Sequence, residues 1–176
     1  EAENVYGDIS LRVFSDLDIL VRPEDAADAR EVLLESGFSR GLALNRQQME
    51  KYVQTEDNFS LTCSKQGIVL EVHWEISGCY LARPLRFDDL PKSPEPVLLQ
   101  DHPVLNLSRE AMLTYLCIHG AKDVWDNLEQ VMAVSELIGK KEPLDWAVSE
   151  SLAQRWGCIR IQRLGLHLAS ELFCSP

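Results

Sequence analysis

Apolar and polar positions alternate along Phe14-Ser15-Asp16-Leu17-Asp18-Ile19-Leu20-Val21, which predicts a strand over residues 11 to 21 that ends at Arg22-Pro23. Side chains two apart in a strand share a face. Asp16 and Asp18 therefore project together, while Ser15, Leu17, Ile19 and Val21 take the other side. Pro23 suits the first turn of a helix, with Glu24 and Asp25 at its positive end. Ala26, Ala29, Val32 and Leu33 then recur at helical spacing, and Gly37 is placed to end the run. Leu42 to Val53 is weaker and reads as a second strand or an irregular connection. Phe59 to Cys63 and Ile68 to Ile76 read as short strands joined by a hairpin turn at Ser64-Lys65-Gln66-Gly67. The second of these alternates cleanly: Ile68, Leu70, Val72, Trp74 and Ile76 on one face, and Val69, Glu71, His73 and Glu75 on the other.

The pattern changes at residues 83 to 104, where Pro84, Pro91, Pro94, Pro96 and Pro103 mark a linker. Beyond it the period is helical. Ser108 caps a helix through Met112, Tyr115, Leu116 and Ile118, and a second runs from Trp125 to Ile138 with Gly139 at its end. Leu144 to Trp156 and Ile159 to Phe173 supply two more. The expected organisation is an α/β core over 1–82, a Pro-rich linker over 83–104 and a helical domain over 105–176, an α+β chain.

Composition narrows this picture a little. At 176 residues the chain can bury a real core, and 45% apolar with 26% charged residues is ordinary globular usage. The net charge of -11 repels nucleic-acid backbones and argues against an extended nucleic-acid face, though not against a small pocket for one nucleotide. No apolar run reaches the length of a membrane span and no signal-peptide pattern opens the chain. Five widely spaced cysteines without a CxxC argue against a zinc site or a disulfide framework and for a reducing cytoplasm; Cys117 and Cys158 fall in apolar helical patterns as small core residues. The chain opens on Glu1 rather than Met, which reads as a fragment of a longer protein.

The chemistry sits in the carboxylates. Asp16 and Asp18 on one strand face repel each other unless a cation lies between them, and hard divalent ions seek such oxygen ligands. Metal-dependent phosphoryl or nucleotidyl transfer needs a third ligand, and Glu71 on a polar strand face is the best candidate. His73, beside it, reads as a half-buried strand histidine rather than a ligand, and Glu75 as a surface residue.

The run from Arg12 to Asp25 containing DLDILV, then Gly37-Phe38, then Leu70-Glu71-Val72-His73-Trp74, then His119-Gly120-Ala121-Lys122, resembles an uncharacterised bacterial nucleotidyltransferase family (NTP_transf_5) of the polymerase beta-like superfamily. The resemblance implies a small mixed β-sheet carrying an acidic triad, followed by a C-terminal helical region that closes over the nucleotide. It implies that Asp16, Asp18 and Glu71 are both metal ligands and catalytic residues, with Mg²⁺ or Mn²⁺ as the ion and an NTP as substrate. It also places His119 and Lys122 in the cleft, Lys122 against triphosphate charge, and counts Arg12 and Ser15 among the nucleotide-binding candidates. The acceptor would be a hydroxyl of a small molecule, a protein side chain or an RNA end. The superfamily's Gly-Ser turn upstream of the aspartate pair has no counterpart here, since Tyr6-Gly7 lies too close to Asp16, which puts that motif before Glu1. Asn127, Gln130 and Ala133 stand where the family carries a basic residue, a tryptophan and an aspartate. The competing expectation is a catalytically inactive nucleotidyltransferase-like binding or regulatory module, of the kind found in toxin-antitoxin pairs.

Overall fold

The structure is a computed structural model that describes residues 16–40, 43–63, 67–77, 85–91, 95–99, 102–140 and 143–175. Arg12, Ser15 and the turn residues 64–66 lie outside the described residues. The described chain is α+β: a small mixed sheet with most of the helices after it. The strands are β1 Asp16–Leu20, β2 Ser39–Arg40, β3 Asn58–Cys63, β4 Ile68–His73, β5 Glu95–Leu99 and β6 His102–Asn106. The helices are α1 Ala26–Glu35, α2 Arg46–Tyr52, α3 Arg109–Lys122, α4 Leu128–Ile138, α5 Trp146–Arg155 and α6 Ile159–Phe173. Two compact units result, one built on residues 16–77 with 85–88 and the other on residues 89–175.

In the first unit the sheet order is β1-β4-β3-β2, with β1 parallel to β4 and the remaining pairs antiparallel. Phe59, Leu61, Leu70, Val72 and Trp74 share one face and form a buried core with Ala26 and Ala27 at the start of α1 and Met49 of α2. Trp74 has no exposed surface, meets Tyr52 edge-on and Phe59 at a tilt, and donates its indole N–H to the Glu56 carbonyl at 2.6 Å. Because the side-chain period is two, burying that face turns Ser60, Glu71 and His73 to the opposite one.

The stretch read as a weak strand or a connection holds α2. Its start is a capping box: Asn45 accepts from the Gln48 N–H, and the Gln48 side chain accepts from the Asn45 N–H, both at 2.9 Å. The Pro-rich stretch contains the β5–β6 hairpin. Among the described residues β5 and β6 pair only with each other, and a two-stranded ribbon of this kind tolerates Pro96 and Pro103.

The second unit packs α3 against α4, α5 and α6 around Leu113, Val134, Leu137 and Ala169, all without exposed surface. Ser108 caps α3 by accepting from the Ala111 N–H. The helix expected from Trp125 begins only at Leu128, because residues 123–127 form a tight turn in which Val124 and Trp125 both take positive φ, 57° and 55°. Gln162 crosses the interior, donating to the hydroxyls of Thr114 and Ser149. Burial pushes the Cys117 thiol well above its ordinary range and the Cys158 thiol up to about 11, so both are inert packing groups.

Candidate metal centre

The parallel pairing of β1 and β4 sets three rows of neighbours across the polar face of the sheet. Asp16 is registered with Val69, Asp18 with Glu71 and Leu20 with His73. The antiparallel β3 continues the middle row, since Ser60 is registered with Glu71. Asp18, Glu71 and Ser60 therefore stand side by side, and His73 lies two residues along β4 on the same face.

The side chains converge as this register requires. His73 Nε2 is 3.2 Å from Asp18 Oδ1 and 3.3 Å from Glu71 Oε2. The second oxygen of Glu71 accepts from the Ser60 hydroxyl at 2.9 Å. The imidazole side chain is 21% exposed, against 48% for Asp18 and 29% for Glu71, so the cluster opens to solvent on the Asp18 side. Burial lowers the His73 pKa, but the hydrogen bond to Asp18 and the negative charges of Asp18, Glu71 and Asp57 outweigh it, and the net shift is upward.

Asp18, Glu71 and His73 are a group whose ligand atoms all lie within 4.8 Å of one another, and Asp16 is not a member. Two residues of parallel strand separate Asp16 from Asp18 by about 6.6 Å along β1, and the neighbour of Asp16 on β4 is the apolar Val69. Register thus pairs Asp18, rather than Asp16, with Glu71.

The profile of the uncharacterised nucleotidyltransferase family matches residues 2–174, nearly the whole chain. The chain belongs to this nucleotidyltransferase family. No curated protein and no solved structure matches it. Nucleotidyltransferase chemistry generally relies on divalent ions, and the donor set fits one: two carboxylates, of which Glu71 is pre-oriented by Ser60, with an imidazole nitrogen between them.

The remaining nucleotidyltransferase candidates are Arg12, Ser15, His119 and Lys122. Arg12 and Ser15 lie outside the described residues. His119 and Lys122 sit in the last turn of α3, in the second unit, where His119 Nδ1 is 3.7 Å from Asp123 Oδ2 and Lys122 is exposed. The cluster also takes in two residues beside Asp18 and Glu71. His73, which the sequence reads as a half-buried strand histidine rather than a ligand, is a strand residue 21% exposed that faces both carboxylates, and its i, i+2 spacing from Glu71 is the available signal. Ser60 carried no signal, because its place beside Glu71 depends on the register of two strands.

Proposed function

We propose that the chain is a metal-dependent nucleotidyltransferase that moves a nucleoside monophosphate from an NTP to a hydroxyl. The observation that carries this reading is the row formed by Asp18 and Glu71 in a member of this family, with His73 facing both carboxylates. A divalent ion bound there would neutralise phosphate charge and lower the pKa of the attacking hydroxyl. Asp18, the most exposed carboxylate of the cluster, holds the solvent side of the site, with Asp16 further along the same strand as an additional oxygen donor. Glu71, held by Ser60, orients the acceptor and takes up its proton. The acceptor oxygen bonds to the α-phosphorus as the bridge to the β-phosphorus breaks, and pyrophosphate leaves with the displaced electron pair.

The net charge of -11 favours a small-molecule or protein acceptor over a long nucleic acid. His119, Lys122, Arg12 and Ser15 are retained as candidates for nucleotide contact, and the buried free thiols are in keeping with a reducing cytoplasm. The test is transfer of label from α-labelled NTPs to a panel of hydroxyl acceptors in Mg²⁺ or Mn²⁺. Wild type transfers label, and Asp18→Asn and Glu71→Gln do not. Equal transfer by wild type and both variants would remove the carboxylates from the chemistry.

A further inference from the structure

We infer that His73 is itself a metal ligand, and that it tunes the centre toward a first-row divalent ion such as Mn²⁺ in preference to Mg²⁺. The inference rests on the metal-dependent reading above and assigns the ion class and one further ligand of that site. It begins from the spacing of the ligand atoms. Around a small cation with bonds of about 2.1 Å, neighbouring ligand atoms lie about 3.0 Å apart at right angles and about 3.4 Å apart at the tetrahedral angle. His73 Nε2 is 3.2 Å from Asp18 Oδ1 and 3.3 Å from Glu71 Oε2, inside that interval on both sides. Without an ion this nitrogen hydrogen-bonds to Asp18, and an ion bound between the two carboxylates would take the place of that proton.

The supporting structure points the same way. His73 is fixed at the end of β4, where its carbonyl accepts from the Val21 N–H and its Cα is registered with Asn58 on β3 and Leu20 on β1. Its side chain is largely withdrawn from solvent, whereas Asp18 remains half exposed. The ligand on the closed side of the site is thus the nitrogen, and the open side is left to an oxygen, water and substrate. Mg²⁺ demands oxygen donors and gives up its waters reluctantly, so an imidazole in its shell is a poor exchange. First-row ions accept imidazole readily, and an O,O,N donor set favours them. The motif Glu71-Val72-His73 therefore carries two ligands on one strand face, and Asp18 supplies the third from the parallel neighbour.

The test uses Mn²⁺ as the probe on the full chain. Electron spin echo spectra of the wild-type Mn²⁺ complex show ¹⁴N modulation, which changes to the ¹⁵N pattern when histidine is isotopically labelled. His73→Gln abolishes the modulation and weakens Mn²⁺ binding by at least about tenfold, the lower end of what disturbing a metal site costs. The same variant changes Mg²⁺ affinity by less than about threefold, because a hard ion keeps its carboxylates and waters. Wild-type protein that binds Mn²⁺ without nitrogen modulation overturns the inference, as does modulation that survives in His73→Gln, and the wild-type spectrum decides even if the variant does not fold. Failure of wild type to bind Mn²⁺ at all overturns the metal-dependent reading itself, and this inference with it.

Discussion

Gly120, within the His119-Gly120-Ala121-Lys122 motif, should be unusually intolerant of a methyl group. A Cβ built at this position lies 2.4, 2.5 and 2.7 Å from three ring atoms of Trp125. Carbon atoms in good contact are about 3.5–4.0 Å apart, so the ring would have to move by about 1 Å. It has little room in the opposite direction. The same ring atom, Trp125 Cη2, stands 2.9 Å from a Cβ built at Gly165 on α6, so the indole fills a slot between two glycines on neighbouring helices. The turn that presents Trp125 is also held at positive φ at two successive residues, which limits its freedom to adjust. Replacing Gly by Ala inside a helix ordinarily gains about 1 kcal/mol. Overpacking against a rigid ring costs up to about 3 kcal/mol. The expected net result for Gly120→Ala is a loss of about 2 kcal/mol, or a fall in Tm of about 4–8 °C for a chain of this size. Thermal and denaturant unfolding measure it, and Gly120→Ala combined with Trp125→Leu should recover part of the loss as a coupling between the two sites. A Gly120→Ala protein as stable as wild type, or more so, would refute the account, because helix propensity would then have won over the clash.

Two further outcomes follow from the first unit. Ser60→Ala removes the hydrogen bond that orients Glu71 and should weaken Mn²⁺ binding by about tenfold with an unchanged circular dichroism spectrum; calorimetric titration that finds equal affinity would make Ser60 a bystander. Trp74→Ala empties a fully buried site just past the end of β4 and should cost about 3–5 kcal/mol in urea unfolding, and a loss below about 1 kcal/mol would mean that Trp74 does not anchor the sheet.

Much of the architecture was legible along the chain because short-range chemistry specifies it. The alternation of Leu70, Val72 and Trp74 with Glu71 and His73 fixes which side of β4 is buried once any core forms. Ser108 and the helical spacing after it locate α3 without reference to the rest of the chain. Even α2, which the apolar pattern missed, has a local signature in Asn45 and Gln48; the period was too weak to show it, but the cap was present. The hairpin of β5 and β6 was hidden by its prolines, which a two-stranded ribbon among the described residues can tolerate.

The candidate site divides along the same line. The sequence by itself determined that Asp16 and Asp18 share one strand face and that Glu71 and His73 share another, since the two-residue period is a property of the backbone. Only the tertiary structure decided that Asp18, rather than Asp16, stands opposite Glu71, that Ser60 reaches the far oxygen of that carboxylate, and that His73 faces both acids. Those relations depend on the parallel register of β1 on β4 and the antiparallel register of β3 on β4. Register is set by the burial of one apolar face against α1 and α2, a cooperative property of residues far apart in the chain.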